Sequence, residues 1–243
     1  MLTGPTVDVY DRKEFLQVIN DAVPIVPARS AVVTVEMTQR RLTPTAPFPP
    51  GVRDELLANT EELLTLARAS GTAVIHVLSA LRPVETQAQA NTRVGRAWAA
   101  IGESMSPYGP VPDESVDVQD GTFKPDFAVS VADSDYIIKT KKSLSAFYQT
   151  DLEWLTKALG VDTLILAGAN TNADIQSTAY DASCKAYKVV TVAECVATWF
   201  GEDLQELGLQ QLGRCQGWVL SLAELASKLD SAPAPAAATE VPA

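Results

Sequence analysis

The chain contains few of the side chains on which many catalytic and metal sites depend. Its 243 residues include one histidine, His76, and three cysteines with no Cys-x-x-Cys spacing. A histidine-rich metal site is therefore excluded, and a Ser-His-Asp triad or a Cys-His pair would have to use His76 itself. His76 lies in an apolar run, for which we expect a buried histidine at a strand end, bonded to backbone. The cysteines imply neither a disulfide framework nor a zinc site, and we expect each to be buried.

Long apolar runs and excess positive charge are also missing. No stretch approaches the roughly 20 apolar residues that span a bilayer, and the N-terminus lacks a basic segment followed by an apolar one. With 19 Lys and Arg against 30 Asp and Glu, the net charge is −11. Neither nucleic acid nor a membrane is therefore expected as a partner. We expect a cytoplasmic protein that acts on a small molecule without a cofactor or a metal.

Strand and helix signals alternate along the chain. This alternation predicts an α/β fold of three layers, with a mostly parallel central sheet and helices on both faces. Strands are predicted at 31–35, 72–78, 136–140, 162–167, 188–192 and 217–220, and helices at 52–70, 151–159, 172–186, 202–213 and 222–229. The expected organisation is an N-terminal extension (1–27), a single domain (28–230) and a disordered Ala/Pro-rich tail (231–243). Residues 82–133 are predicted to form long loops and short helices that cross the sheet.

Charged residues follow three of the predicted strands. Glu36 ends the first strand, Lys141 follows strand 136–140, and Asp174 comes soon after strand 162–167. In an open parallel sheet, ligands bind outside the carboxyl ends of the strands. Two acids and a lysine at such ends therefore predict a functional site, and the alternative is that each is a solvated loop charge.

Two motifs resemble the active-site half of the isochorismatase-like (cysteine hydrolase) family. The first runs from Lys141 to Leu152 and matches the family's Lys-x-x-x-Ser-Ala-Phe followed by Thr-Asp-Leu. The second is Gly168-Ala169-Asn170-Thr171-Asn172, which continues into 177–182, and a weaker third consists of Glu36-Met37 with Arg40 and Leu42. The resemblance covers about residues 28–225 and implies the Rossmann-like αβα fold of that family.

The resemblance also implies a chemistry. The family's catalytic triad is aspartate, lysine and cysteine, whose matching positions here are Glu36, Lys141 and Asp174. It implies a cis peptide between Ala169 and Asn170, and an oxyanion hole of backbone groups at Ala169, Asn170 and Asp174. This chain departs from the family twice, because Asp174 replaces the nucleophilic cysteine and Glu36 replaces the aspartate.

Three functional hypotheses are therefore open. In the first, the protein hydrolyses a small amide, carbamoyl or ureide compound, with Asp174 or Glu36 as the base that activates water and Lys141 as the electrostatic anchor. In the second, Glu36 is an acid that protonates an enol ether, as in the isochorismatases proper, which lack the cysteine. In the third, the three side chains form a stable ion cluster in a non-catalytic binding or structural relative.

Further residues are candidates for substrate contact: Phe147, Tyr148, Gln39, Arg40 and Trp98. Phe147 and Tyr148 follow the lysine motif, and packing beneath the site is the alternative for both. Gln39 and Arg40 follow the Glu36 strand, where a solvated loop is the alternative. Trp98 lies in a segment that often covers the cleft in the family.

The family resemblance also implies a homodimer or homotetramer. In the sequence itself, the apolar pair Trp199-Phe200 is the main feature that supports an interface. We therefore expect self-association.

Overall fold

A six-stranded parallel sheet forms the centre of the molecule in the computed structural model, which describes residues 13–90, 96–97, 106–111 and 124–231. The strands are β1 Ser30–Val35, β2 Ala73–Ser79, β3 Tyr136–Lys141, β4 Thr163–Ala169, β5 Lys188–Ala197 and β6 Trp218–Leu220. Their order is β3-β2-β1-β4-β5-β6, and each neighbouring pair is parallel. The helices are α1 Lys13–Ala22, α2 Val52–Ser70, α3 Pro83–Ala90, α4 Leu152–Ala158, α5 Gln176–Cys184, α6 Glu202–Gln211 and α7 Leu222–Asp230. The predicted fold class is confirmed.

Helices cover both faces of this sheet and create two hydrophobic cores. On one face, Leu63 of α2 and Leu225 of α7 belong to the same buried cluster. On the other face, Leu152 of α4 and Ala179 of α5 belong to a second cluster. Because the central strands β1 and β4 have a core on each side, every residue in them is buried, as their continuous apolar sequences predict.

Helix α2 shows how local sequence sets an element's limits. Its buried face is formed by Leu56, Leu63, Leu64 and Ala67, which recur at helical spacing. Gly71 ends the helix with a φ of 77°, a left-handed conformation that glycine adopts without steric cost. The predicted helix at 52–70 is confirmed.

Three elements differ from the predictions. Strand β5 continues to Ala197, five residues beyond its predicted end, because a register shift against β4 lets Val196 pair with Gly168. The helix predicted at 172–186 begins as a wide, π-type turn over Thr171–Ile175. Helix α4, predicted at 151–159, covers Leu152–Ala158, because Asp151 occupies the N-cap position.

Helix α1 lies in the predicted N-terminal extension and packs on the edge of the sheet. Asn20 donates its side-chain N–H to the carbonyl oxygen of Val219 in β6 at 2.6 Å. Val23 and Ile25, which follow α1, are part of the hydrophobic core. This part of the extension is therefore attached to the domain, whereas residues 1–12 and 232–243 lie outside the described residues.

His76 has side-chain partners, so the expectation of a backbone bond at a strand end was wrong. It lies inside β2 and is 0% exposed, with Nδ1 2.8 Å from Thr34 Oγ1 and Nε2 3.2 Å from Asp135 Oδ2. Arg68 holds the same Asp135 oxygen at 2.6 Å. Burial lowers the pKa of His76 and outweighs the opposing effect of Asp135. The histidine therefore serves as a buried link between β1, β2 and the segment before β3.

The cysteines do not share one environment, so the expectation that all are buried was wrong. Cys195 in β5 is buried, and burial raises the pKa of its thiol to about 12. Cys184 ends α5 and Cys215 lies in the turn before β6, and both are exposed. Among the described helices, none has the length and apolar character needed to cross a membrane.

Candidate active site

Four adjacent strands bring the candidate residues to one edge of the sheet. Lys141 is the last residue of β3, Ser79 the last of β2, and Glu36 follows β1 directly. The fourth strand, β4, ends at Ala169 and leads through a turn to Asp174. Since all four strands are parallel and adjacent, their carboxyl ends meet, which is where an open α/β sheet binds ligands.

Glu36 is held where the chain turns away from β1. Its N–H still donates to the Val77 carbonyl oxygen at 2.9 Å, and its own carbonyl accepts from Thr38 N at 2.9 Å. Its φ is 60°, a left-handed conformation that is uncommon for a residue other than glycine. Such backbone conformations concentrate at functional sites, because the surrounding structure must hold them in place.

Lys141 bridges the two acids. Its Nζ lies 3.0 Å from Glu36 Oε1 and 2.6 Å from Asp174 Oδ1. The three side chains are almost completely buried, at 2–3% exposure. Burial alone would lower the pKa of Lys141, but the charges of Asp174 and Glu36 raise it above its ordinary value. The two carboxylates therefore favour the charged form of Lys141 in this cluster.

Asp174 lies in the π-type turn that follows β4. The turn is closed by hydrogen bonds from Ala173 N and Ile175 N to the Asn170 carbonyl oxygen, at 3.2 Å and 3.1 Å. The Ala169–Asn170 peptide is cis, as the family resemblance implies. The Asn170 N–H points into the cluster and donates to Asp174 Oδ2 at 3.3 Å. One backbone donor expected in an oxyanion hole is thus engaged by Asp174 itself.

Arg41 is a fourth charged member of the cluster, which the sequence analysis missed. Its Nη1 lies 3.1 Å from Asp174 Oδ2 and 3.4 Å from the Ala169 carbonyl oxygen, and its Nε lies 3.8 Å from Glu36 Oε2. Burial alone would raise the pKa of Asp174, but Lys141 and Arg41 lower it below its ordinary value. The formal charges of the two acids and two bases cancel.

A turn at Thr38 directs Arg41 inward. Thr38 Oγ1 accepts from Arg41 N at 3.3 Å, and the Thr38 carbonyl oxygen accepts from Leu42 N at 2.9 Å. Arg40, one residue earlier, is only half-buried. The sequence signal for this turn was Thr38, three residues before Arg41, because threonine side-chain oxygens often accept hydrogen bonds from nearby backbone N–H groups.

Trp199 packs against Arg41 inside the molecule. The guanidinium carbon lies 5.5 Å from the centre of the Trp199 ring system, which is a cation–π contact worth about 0.5–2 kcal/mol. Trp199 is 0% exposed and also contacts Phe48 and Phe200. Trp199 is therefore a core residue and does not support the expected interface, and self-association remains a prediction.

The other predicted substrate-contact residues lie in different environments. Phe147 is 8% exposed and packs in the core against Tyr187, with ring centres 5.7 Å apart. Tyr148 is 52% exposed. Gln39 is exposed and donates to the Phe127 carbonyl oxygen at 3.3 Å. Trp98 lies outside the described residues, and substrate contact remains a prediction for each of these positions.

Two surface pockets lie away from the charged cluster, and none of Glu36, Arg41, Lys141 and Asp174 lines either of them. One, of about 270 Å³, is formed by the start of α2, by β5 and by α6. The other, of about 190 Å³, is formed by residues between Pro44 and Asp54. Within the described ranges, no three His, Cys, Asp or Glu side chains are grouped closely enough to hold a metal ion.

Comparisons with known proteins agree with this fold. Residues 30–224 match the model of the isochorismatase domain. A maleamate amidohydrolase from Pseudomonas putida is 31% identical over 173 residues, or 69% of this chain and 72% of that relative. An N-carbamoylsarcosine amidase from an Arthrobacter species is 24% identical over 168 residues, covering 69% of this chain and 59% of that relative.

A solved structure adds to the likeness. The crystal structure of a cysteine hydrolase from Pseudomonas syringae pv. phaseolicola has a TM-score of 0.66 and 25% identity, covering 87% of this chain and 97% of that one. The protein belongs to the isochorismatase domain family. Its cluster of Glu36, Lys141, Asp174 and Arg41 lies at the carboxyl edge of the family's parallel sheet.

Proposed function

We propose that this protein is a hydrolase that cleaves a C–N bond in a small amide, carbamoyl or ureide compound, without a cysteine nucleophile. The observation that carries the proposal is the position of Lys141 between Glu36 and Asp174, at 3.0 Å and 2.6 Å, at the edge of the sheet where such folds bind ligands. Relatives named for maleamate and for N-carbamoylsarcosine support this class of substrate.

Glu36 is the better candidate for the catalytic base. Both oxygens of Asp174 already accept from charged or backbone donors: Oδ1 from Lys141, and Oδ2 from Arg41 and Asn170. The lowered pKa of Asp174 also makes it a weak proton acceptor. We therefore assign Glu36 the removal of a proton from the attacking O–H group. Asp174 holds the two cations in place, and water completes the hydrolysis.

Lys141 is the electrostatic anchor in this proposal. When a nucleophile attacks the carbonyl carbon, negative charge moves onto the carbonyl oxygen. A buried cation next to that oxygen stabilises the charge more strongly than the same cation in water, because the local dielectric is low. The departing nitrogen takes the proton that Glu36 had accepted.

One observation favours a second candidate, a non-catalytic relative that binds a ligand or a partner. Asp174 Oδ2 accepts the Asn170 N–H, so this donor is already used within the protein. Lys141 and Arg41 together neutralise the charges of Glu36 and Asp174. A closed set of buried ion pairs of this kind can also serve only to hold the fold.

Release of ammonia or amine from a panel of small amides, ureides and carbamates tests the proposal. The panel includes maleamate, N-carbamoylsarcosine and an enol ether. Cleavage of the enol ether is measured by the carbonyl compound that it releases. We expect C–N cleavage by the wild type and a loss of roughly 10²–10⁴-fold in Glu36→Gln, which removes the base. The control is Glu153→Gln, which changes a surface glutamate paired with Lys157 and Lys185.

The outcomes separate the candidates. Cleavage of only the enol ether would replace the proposal with the acid-catalysed reaction. Binding of a panel compound without turnover would favour the non-catalytic relative. A homodimeric or homotetrameric state and a cytoplasmic location remain predictions.

A further inference from the structure

Ser79 is a hydroxyl in the charged cluster that the mechanism above leaves without a role. It is the last residue of β2 and is paired in register with Lys141 of β3. Its Oγ donates a hydrogen bond to Glu36 Oε1. Lys141 Nζ in turn lies 3.4 Å from Ser79 Oγ. A hydroxyl bonded to a carboxylate and adjacent to a cation is the arrangement of an activated nucleophile.

Accessibility also distinguishes Ser79. The side chains of Glu36, Lys141 and Asp174 are 2–3% exposed, whereas Ser79 is half-buried. The nucleophile must reach a substrate carbon, while its base and its electrostatic partner can remain behind it. Position Asp174, where the family resemblance places a thiol, holds a carboxylate engaged on both oxygens.

We propose that Ser79 is the nucleophile of this site, with Glu36 as its base and Lys141 as the cation that stabilises the oxyanion. This inference rests on the proposed hydrolase function. It adds a covalent intermediate and a second acid–base step to that function.

The reaction balances in two halves. In the first, the Ser79 hydroxyl proton moves to the Glu36 carboxylate and Oγ bonds to the carbonyl carbon, whose π electrons move onto its oxygen. The C–N bond then breaks, and the leaving nitrogen takes the proton from Glu36, which leaves an acyl- or carbamoyl-serine. In the second half, Glu36 takes a proton from water, the water oxygen bonds to the same carbon, and Oγ leaves with that proton. The sum is amide plus water giving acid plus amine.

Two measurements test the assignment. The first uses phenylmethanesulfonyl fluoride, which sulfonylates activated serines, and locates the adduct by tandem mass spectrometry. We expect the adduct on Ser79 in the wild type, and its loss in Ser79→Ala and in Glu36→Gln. The matched control is Ser30→Ala, because Ser30 is a buried serine at the end of β1 away from Glu36, and its Oγ donates to the Val26 carbonyl oxygen. The Ser30→Ala protein should carry the sulfonyl adduct on Ser79, as the wild type does.

The second measurement is turnover of a compound cleaved in the panel. Ser79→Ala should lower kcat by about 10³-fold or more, and the wild type should release a burst of amine equal to the enzyme concentration. Ser79→Cys retains a nucleophile, so it should retain turnover and become sensitive to iodoacetamide, which also controls for misfolding of Ser79→Ala.

The results distinguish this inference from the proposed function. Absence of an adduct on Ser79, or an equal adduct in Glu36→Gln, overturns the serine assignment. Turnover that survives Ser79→Ala does the same and leaves a hydrolase that uses water directly. A Glu36-dependent adduct in a protein that cleaves no panel compound supports the serine and overturns the proposed substrate class.

Discussion

The carboxylate of Asp174 accepts the backbone N–H of Asn170 at 3.3 Å, within the turn where the family resemblance places the oxyanion hole. The same Asp174 oxygen accepts from Arg41 at 3.1 Å. Asp174, where the family resemblance implies the nucleophile, is thus the anchor of a buried ion network. Changes to that network should therefore affect both stability and activity.

Lys141→Ala should abolish turnover and destabilise the fold. It leaves Glu36 and Asp174 facing each other without the cation that bridges them. Breaking a buried ion pair in this way costs about 3–5 kcal/mol, and the pKa of Asp174 should rise. Urea denaturation and the turnover assay measure the two effects.

The neighbouring residue supplies the control for that experiment. Lys142→Ala removes contacts with the Ala80 carbonyl oxygen and Glu85, outside the cluster. It should keep turnover within a few fold. Near-normal turnover in Lys141→Ala would show that the site is assigned wrongly.

Arg41→Met should lower turnover and stability together. It removes the partner of Asp174 Oδ2 and of the Ala169 carbonyl oxygen. Arg41→Lys should not restore activity, because one ammonium group cannot reproduce the planar set of donors. Arg29→Met is the comparison, and its effect should be smaller because Arg29 is an exposed arginine that pairs with Asp162 before the start of β1, away from the cluster. Equal effects at the two positions would contradict the role given to Arg41.

Asp174→Cys should convert the site toward thiol chemistry. The change frees the Asn170 N–H and places a thiol beside Lys141, whose charge favours the thiolate. We expect weak amidase activity, since Glu36 is one methylene longer than the family's aspartate, and the added change Glu36→Asp should increase it. The readout is amine release that iodoacetamide blocks.

Two controls belong to that experiment. Asp174→Ala lacks the thiol and should show no alkylation-sensitive activity. Because Cys184 and Cys215 are exposed, the alkylated position has to be identified by mass spectrometry. Lower activity in the double variant than in Asp174→Cys would show that the length of Glu36 is not the limiting factor.

Stability should fall as the pH drops below 6.5, because the pKa of His76 is lower in the folded protein than its ordinary value of 6.5. The folded state then binds fewer protons than the unfolded state, so acid favours unfolding, by up to about 1.4 kcal/mol per pH unit. The groups that face His76 are Thr34, Asp135, Arg68, Glu61 and Phe127. A lowered pKa of Asp135 extends the loss below its ordinary value of 3.8.

The single histidine makes this prediction specific. Urea denaturation of the wild type and of His76→Gln, between about pH 7 and about pH 5, isolates the histidine contribution. The variant should be less stable at neutral pH, but its stability should depend less on pH over this range. Parallel curves for the two proteins would contradict the assignment.

Sedimentation should show a dimer or tetramer, with a mass two or four times that of the 26.0 kDa chain. Trp199, which was expected at the interface, lies in the core, but the fold exposes other large apolar side chains. Trp154 is 80% exposed and Tyr148 52%. Trp154→Arg should shift the distribution toward monomer if α4 contributes to the contact. A single 26.0 kDa species of the wild type at micromolar concentration would contradict self-association.

Local sequence determined the layers of this fold and the edge on which its charges gather. Short stretches of sequence are enough to recognise the apolar runs of β1 and β4 and the periodic leucines of α2. The positions of Glu36 and Lys141 at strand ends follow from the same pattern. The predicted strand ends and the parallel arrangement of the strands were therefore sufficient to predict that these charges lie at one edge of the sheet.

Only the tertiary structure decided which side chains complete the site. Arg41, not Arg40, points inward because of the turn capped by Thr38, and Ser79 reaches Glu36 because of the pairing between β2 and its neighbours. Trp199 is buried because β5 resumes its pairing with β4 after a register shift. The placement of each of these three side chains depends on contacts between residues distant in sequence, or on the direction in which one side chain points. Local periodicity encodes neither the distant contacts nor the side-chain direction.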